Sequence, residues 1–435
     1  MNKRIVISGA KSNSGKTTVS LGLLRLLNRK NIDVQPFKSG PDYIDPKFHE
    51  LAAGNTGVNL DTYMMSDKHI NNCLSDFSNQ NTIQCIEGVM GLFDGANKSE
   101  GSTAELAKKI KASVVLVVDA KSVAYSVAPL IQGFVNFDKE LDIIGVIFNR
   151  VGSERHYEIL KEACNDINIK SFGYLRVIKE ANIPSRHLGL NISDITKFDK
   201  SIDLIADEID QNVDWQLLLE LTHSVPKIKS VEKFNPKSKI KFAVARDEAF
   251  NFIYPQTIKA MNEIGRVEYF SPINDVKLPV VDFIYIPGGY PELYLDKLSK
   301  NNAIKSQLLD FAQNGGLVFA ECGGMMYLGK EVIDKNGEAH KLVGYFDFTC
   351  SIDKPKLHLG YRKIEWGKEK YKGHEFHYSS INDNNIEDSL GIIKNARSQE
   401  VNTKMFIKNN VLASYIHLYV GDASRLETLI KQILN

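Results

Sequence analysis

The sequence lacks the features of a membrane, secreted or nucleic-acid-binding protein. The longest purely apolar run among its 435 residues, Val114 to Val118, is far shorter than the roughly 20 residues that cross a bilayer. Only Ile5 to Ile7 are apolar before the first glycine, so the basic start contains no signal-peptide core. The 54 basic residues balance 53 acidic residues, which gives no field that would attract nucleic acid or anionic lipid. We therefore expect a cytoplasmic protein whose partners are small molecules, with neither nucleic acid nor membrane among them.

Cysteine pairs are missing as well. The five cysteines are odd in number, widely scattered and without C-x-x-C spacing: Cys73, Cys85, Cys164, Cys322 and Cys350. This pattern argues against a disulfide framework and against a cysteine-based metal site. In a reducing compartment they should be free thiols.

What the sequence does contain is an alternation of short β-branched runs with helical patterns. This alternation is typical of an α/β protein with a parallel, doubly wound sheet. The runs in the first half are residues 4–8, 32–37, 83–87, 114–119 and 143–149. Near residues 222–239 the pattern gives way to lysine, serine and proline, a composition that does not pack, and strand-like runs then resume at residues 240–245, 283–286, 316–320 and 411–417. We predict one domain at residues 1–222, a linker at 223–239 and a second α/β domain at 240–435.

The first strand is followed by "GAKSNSGKTT", which ends in the Gly-Lys-Thr of a phosphate loop. Backbone amides of such a loop wrap phosphate oxygens, Lys16 neutralises charge, and the Thr17 hydroxyl reaches Mg²⁺. The ATP-binding residues predicted here are Ser14, Gly15, Lys16, Thr17 and Thr18. Ala10 stands where the common spacing has glycine, and Lys11 matches the extra lysine of partition ATPases, so the loop belongs to a variant subgroup that also includes dethiobiotin synthetase.

Acidic residues that could organise a metal or a substrate follow the neighbouring strands. Glu87 ends an apolar strand, where its carboxylate should face the phosphates, and Asp94 lies on the next loop. A lone acid after a strand is also often a helix cap. We predict Thr17, Glu87 and Asp42 as metal ligands.

A proline-stiffened turn follows the second strand, at the edge where doubly wound sheets bind ligands. Its polar residues predict a site for an anionic substrate or a metal, although a solvated turn capped by aspartates is the alternative. The substrate-binding residues predicted are Lys38, Asp42, Tyr43, Asp45 and Asp94. Asn149 closes a later strand, where such proteins often read a nucleotide base, but asparagine also caps helices.

In the second half, "GGLVFAECGGMMYLG" predicts a strand that runs into Cys322 and turns sharply into a helix starting near Met325. Such an elbow lifts a nucleophile out of the sheet, and a helix N-terminus should raise its thiolate character. A buried structural cysteine is the alternative. His417 ends an apolar strand and could serve as the base, while Gly289 and Gly323 could supply the amides of an oxyanion site.

Seven blocks in order resemble the cobyrinic acid a,c-diamide synthase family: "SGPDYIDPKFH", "EGVMGLFDG", "PGGYPELY", "AECGGMMYLG", "HLGYR", "GHEFHYS" and "SYIHLYVG". The resemblance implies an N-terminal dethiobiotin-synthetase-like ATP domain and a C-terminal class I glutamine amidotransferase domain. It implies that Cys322 attacks glutamine with His417 as its base, while Mg-ATP phosphorylates a substrate carboxylate that ammonia then amidates, at the a and c acetates of a corrin ring. It also implies an interior passage for ammonia. Many class I enzymes carry an acid two residues after the histidine, where this chain has Tyr419, as the cobalamin branch does.

Other interpretations of the sequence remain open. The same chemistry could act on hydrogenobyrinic acid or nickel sirohydrochlorin, and fold analogy does not choose between tetrapyrroles. A partition-type ATPase switch with a non-catalytic second domain is supported by Lys11 but does not need the cysteine elbow. His358, His374, Glu375 and His377 either face the tetrapyrrole or pack within the second domain. Whether the chain forms a homodimer is also open.

Overall fold

A computed structural model of the chain describes residues 1–181, 192–226, 234–236, 239–382 and 390–435. It divides into two compact units, Met1–Val231 and Glu232–Asn435. Part of the predicted linker at 223–239 lies outside the described residues, so the linker remains a prediction. Within the described part of the chain, no helix combines the length and apolar character needed to cross a membrane.

The first unit is built on one sheet whose strands run parallel except for β8, which pairs with the start of β1. Its strands are β1 (Asn2–Gly9), β2 (Val34–Ser39), β3 (Val58–Leu60), β4 (Ile83–Glu87), β5 (Ser113–Asp119), β6 (Ile143–Asn149), β7 (Ser171–Tyr174) and β8 (Ser224–Val225). Their order is β3-β2-β4-β1-β5-β6-β7, with β8 pairing antiparallel to β1. The helices are α1 (Lys16–Arg29), α2 (Asp45–Ala53), α3 (Asp67–Asp76), α4 (Thr103–Ile110), α5 (Val127–Phe137), α6 (Glu154–Asp166), α7 (Asp199–Asn212) and α8 (Trp215–Leu221), with a 3₁₀ turn at Ile192–Phe198.

This strand order places the predicted ATP site at one edge. β4 lies between β1 and β2, and Glu87 is in register with Ile7 on one side and Lys38 on the other. Because carboxyl ends of parallel strands share one edge, the phosphate loop, the Glu87 loop and the turn after β2 are neighbours. The predicted doubly wound sheet is confirmed.

The second unit has a mainly parallel sheet in the order β11-β9-β12-β14-β23-β22, with β22 antiparallel at the edge. Its strands are β9 (Ile240–Ala245), β10 (Phe250–Phe252), β11 (Gly265–Phe270), β12 (Phe283–Ile286), β13 (Gly288–Gly289), β14 (Leu317–Glu321), β15 (Glu331–Ile333), β16 (Ala339–Lys341), β17 (Thr349–Ser351), β18 (His358–Trp366), β19 (Glu369–His377), β20 (Ser380–Asn382), β21 (Ile392–Asn395), β22 (Met405–Lys408), β23 (Val411–Ser414) and β24 (Ile416–Leu418). The helices are α9 (Pro255–Ile264), α10 (Leu295–Lys300), α11 (Asn302–Gln313), α12 (Gly323–Leu328) and α13 (Ala423–Ile433), with a 3₁₀ turn at Pro291–Leu293.

One predicted strand was wrong. Residues 411–417 do not form a single strand: β23 pairs with β14 in the main sheet, whereas β24 pairs with β19 in a separate antiparallel sheet, β21-β18-β19-β24. The chain changes sheets at Tyr415, where the Ser414 hydroxyl accepts a hydrogen bond from the Ile416 amide at 3.1 Å. His417 therefore approaches Cys322 from a different sheet than the one that carries the cysteine.

Candidate active sites in the two units

The phosphate loop has the conformation that its glycine predicts. Gly15 lies at φ +98°, and a Cβ placed on it would come within 1.8 Å of Asn149 Nδ2, so a larger residue would clash as well as strain the backbone. Gly15 is the N-cap residue of α1 and has no side chain that could accept a hydrogen bond from the helix. The first N–H groups of α1, together with the helix dipole, therefore suit phosphate oxygens.

The loop is held from both sides. The Ser14 hydroxyl donates to the Lys11 carbonyl at 2.7 Å, and Asn149 Nδ2 donates to the Ser14 carbonyl at 3.0 Å. Asn149, which we predicted to bind ATP, fixes the loop through its amide nitrogen, and its role toward the nucleotide base stays a prediction. Lys16 is 7% exposed, with Nζ 3.5 Å from the Lys11 carbonyl, and Thr18 is half-buried.

Glu87 is the centre of a buried network beneath the loop. The Thr17 hydroxyl donates to Glu87 Oε1 at 2.6 Å, and Lys38 Nζ lies 2.8 Å from the same oxygen. Lys38 also pairs with Asp45 at 2.5 Å, and His49 Nε2 lies 2.6 Å from Glu87 Oε2. The pairing is necessary because an unpaired charge at this depth would cost several kcal/mol.

His49 was missed by the sequence analysis. It lies four residues after Asp45 on α2, and residues four apart share one face of a helix. That spacing, inside the block "DYIDPKFH", is the signal that could have found it.

Three of the predicted substrate residues are buried, whereas Asp42 is partly exposed. Lys38 is fully buried, Asp45 is 3% exposed and Tyr43 is 9% exposed. Lys38 pairs with both Glu87 and Asp45, and the roles of these residues toward a substrate stay predictions. Asp42 Oδ1 accepts the amides of Ile44 and Asp45 at 2.9 Å, which is the capping role given above as the alternative.

Asp94 is exposed, and its Oδ2 accepts the Gly91 amide at 2.9 Å. The contact closes the turn that follows Glu87. Its role toward a substrate stays a prediction.

The donor set at the loop fits Mg²⁺. A hydroxyl and a carboxylate, the hard oxygen donors that Mg²⁺ takes, already lie in contact at Thr17 and Glu87. Asp42 is a weaker candidate because one of its oxygens is held by two backbone amides.

In the second unit, Cys322 lies on the predicted elbow. It has φ +48° and ψ −109°, an unfavourable backbone conformation for a non-glycine residue, between β14 and α12. Its amide donates to the Ser414 carbonyl at 2.7 Å, which fixes the elbow against β23. The helix begins at Gly323, two residues earlier than predicted.

Cys322 and His417 converge on Gly288. A Cβ placed on Gly288 would lie 2.4 Å from Cε1 of His417 and 3.3 Å from Cβ of Cys322. Glycine at this position therefore lets the imidazole and the thiol-bearing residue approach the same point. The remaining predicted residues are close by: a Cβ on Gly323 would lie 3.3 Å from the Gly289 nitrogen, so the two predicted oxyanion amides belong to adjacent segments.

Burial sets the charge of this pair. Desolvation, helped by the negative charge of Glu292, raises the pKa of the Cys322 thiol, although a hydrogen bond from the Gly323 amide opposes the shift. Burial holds the pKa of His417 well below its usual value. These shifts favour the neutral thiol and the neutral imidazole, because loss of solvent outweighs the hydrogen bond from the Gly323 amide.

Glu321, the acid before the cysteine, ties three strands together. Its carboxyl group accepts the Tyr285 hydroxyl of β12 at 2.6 Å and the Leu418 amide of β24 at 2.7 Å. Since Leu418 follows His417, this acid fixes the base relative to the elbow. Burial raises the pKa of Glu321 to about 8.

The histidine-rich blocks mostly bond within the second unit. Glu375 pairs with Arg362 at 2.6 Å and with His377 at 2.7 Å, and it accepts the Thr403 hydroxyl at 2.8 Å. His358 stacks on His377, with ring centroids 4.7 Å apart. For Glu375 and His377 this is the packing alternative given above.

Comparison with known proteins agrees with the division of the chain into two units. Residues 5–190 match the family model described as CobQ/CobB/MinD/ParA nucleotide binding domain, and residues 241–424 match the CobB/CobQ-like glutamine amidotransferase domain. The chain is 39% identical to the cobyrinate a,c-diamide synthase of Caldanaerobacter subterraneus subsp. tengcongensis, over 96% of this chain and 95% of the relative. It is 38% identical to that of Picrophilus torridus over 99% of both chains, and 36% identical to that of Clostridium tetani over 99% of this chain and 100% of the relative.

Proposed function

The chain belongs to the cobyrinate a,c-diamide synthase family, and from this premise we propose that it amidates the a and c acetate carboxylates of cobyrinic acid, using ATP and glutamine. Membership makes it an ATP-dependent carbon-nitrogen ligase with glutamine as nitrogen donor. The observation that best supports the nitrogen source is the meeting of Cys322 and His417 at Gly288.

Ammonia is released in the second unit. The Cys322 sulfur attacks the side-chain amide carbon of glutamine while His417 takes the thiol proton. The amides of Gly289 and Gly323 donate to the oxyanion that forms. His417 then returns the proton to the leaving nitrogen, leaving a glutamyl thioester and ammonia. Water activated by His417 hydrolyses the thioester and restores the thiol.

The carboxylate is activated in the first unit. Ammonia displaces hydroxide or oxide poorly, whereas phosphate leaves readily from an acyl phosphate, so transfer of the ATP γ-phosphoryl group to the carboxylate removes the obstacle. The loop amides and Lys16 bind the phosphates, and Thr17 with Glu87 would hold Mg²⁺. That ion, when bound, neutralises charge on the transferred group. Lys38 and His49 hold Glu87 in place.

The alternative functions require different residues. A partition-type switch needs neither a strained cysteine nor a histidine beside it, so the Cys322 elbow disfavours it. Hydrogenobyrinic acid and nickel sirohydrochlorin remain alternative substrates.

The test is a mass-spectrometric assay with cobyrinic acid, ATP, Mg²⁺ and glutamine. We expect two replacements of a carboxylate hydroxyl by an amino group. Cys322→Ala should lose the reaction with glutamine and keep it with ammonium chloride. Amidation only of another tetrapyrrole acid would overturn the substrate, and glutamine use by Cys322→Ala would overturn the mechanism.

A further inference from the structure

The ring next to His417 belongs to His374, and the two rings are stacked. Their centroids are 4.8 Å apart and their planes differ by 14°. The contact follows from strand register, because β19 and β24 are antiparallel and place His374 directly opposite His417. Side chains of directly opposed residues lie on the same face of a sheet and within contact distance.

The His417 ring is thereby confined on two sides. One face lies against His374, and the Cε1 edge abuts Gly288, where Cys322 also arrives. The same strand β19 places the Phe376 carbonyl 3.8 Å from the Cys322 sulfur. One strand therefore contacts both members of the Cys-His pair.

His374 is itself anchored. The Tyr254 hydroxyl lies 3.4 Å from His374 Nδ1, and the Tyr254 ring packs on Tyr419 with centroids 5.6 Å apart. Tyr419 lies two residues after His417. Many class I amidotransferases carry an acid at this position. His374, Tyr254 and Tyr419 are each less than a tenth exposed.

We propose that His374 is the positioning residue for His417, and that stacking of its ring fixes the plane in which His417 meets the Cys322 thiol. This inference rests on the proposed Cys-His glutaminase. An uncharged partner is required, because His417 becomes a cation when it takes the thiol proton. Burial and the charge of Arg362 lower the pKa of His374 to about 3, so it stays neutral and offers a ring face instead of a like charge.

The experiment compares two substitutions in the full-length protein. His374→Phe keeps a flat ring without nitrogens, and His374→Leu keeps apolar volume without a ring. We expect His374→Phe to retain the glutaminase kcat within about threefold, and His374→Leu to lose about 100-fold in kcat with little change in KM for glutamine, because a misplaced base costs rate and not binding. His340→Leu, in the same unit, is the matched control for loss of a histidine.

The outcomes separate this inference from the function on which it rests. Cys322→Ala and His417→Ala test the proposed glutaminase, and glutaminase activity in either variant would refute that proposal. If both are inactive while His374→Leu works normally, only the positioning role fails. Equal losses in the Phe and Leu variants, with parental melting temperatures and intact ammonium-dependent amidation, would also overturn it, since the nitrogens and not the ring would then matter. If the Leu variant does not fold, the Phe variant decides: retained kcat supports the role and lost kcat refutes it.

Discussion

At the scale of single residues, the buried acids Glu87 and Glu321 have different roles because their hydrogen-bond partners differ. Glu87 is surrounded by a lysine, a histidine and a hydroxyl, so its charge is compensated. Within the described ranges, Glu321 accepts hydrogen bonds from a phenol hydroxyl and an amide, which do not offset its desolvation. The first therefore suits a role as an ionised ligand, and the second a role in structure.

Replacement of Glu321 should affect stability in a way that depends on the substitute. Glu321→Ala leaves the Leu418 amide and the Tyr285 hydroxyl without this partner, which should lower the free energy of unfolding by about 1 to 3 kcal/mol at pH 7. Glu321→Gln keeps an acceptor and should cost less. Urea denaturation followed by circular dichroism measures both, and equal losses would contradict the bridging role.

The same residue predicts a pH dependence. Its folded pKa, about 8, lies above the ordinary 4.5, so unfolding releases a proton and rising pH favours the unfolded chain between these values. Glu321→Gln carries no proton to release. It should therefore lose less stability than the parent between pH 5 and pH 8, and parallel pH curves for the two proteins would refute the shift.

The neutral Cys322 and His417 pair predicts how the glutaminase responds to pH. Because the pKa of His417 is well below 6.5 and that of Cys322 is above 9.0, kcat/KM for glutamine should not fall as the pH is lowered through 6.5. Burial raises the pKa of Glu292 to about 7, so the profile should be recorded in Glu292→Gln as well. A fall centred near pH 6.5 in both proteins would indicate an ordinary, solvated histidine.

At the scale of elements, the elbow between β14 and α12 holds its cysteine in a conformation suited to glycine. A side chain in such a conformation stores about 1 to 3 kcal/mol of strain. Strain of this kind is retained where the surrounding structure requires it, here where Cβ of Cys322 approaches the Gly288 turn.

This strain can be measured by comparing two inactive variants. Glycine usually costs about 0.5 to 1 kcal/mol relative to alanine, but at Cys322 it would relieve the φ +48° conformation. Cys322→Gly should therefore melt at least as high as Cys322→Ala, by differential scanning calorimetry. A clearly lower melting temperature would show that the elbow is unstrained.

At the scale of the whole molecule, the two units divide the chemistry. Glu87→Gln should abolish ATP-dependent amidation, with glutamine or with ammonium chloride, because a neutral amide is a poorer ligand for Mg²⁺ and a poorer partner for Lys38. Some glutamine hydrolysis should remain, since Cys322 and His417 lie in the other unit. Loss of both activities in a folded variant, checked by circular dichroism against Glu140→Gln, whose side chain is 80% exposed, would contradict this division.

The sequence by itself determined the local features. The phosphate loop, the Glu87 strand end and the Cys322 elbow are each written in a few consecutive residues, because strand period, glycine and helix start act over that range. The strands β9 and β12 were likewise predicted to the residue.

Only the tertiary structure decided which groups meet. Lys38 was predicted to bind a substrate and is fully buried beside Glu87. Residues 411–417 were predicted as one strand and contribute to two sheets, and no local pattern indicates that His374 stacks on His417. Desolvation and strand register, which set these outcomes, arise from segments far apart in the chain, so no short stretch of sequence encodes them.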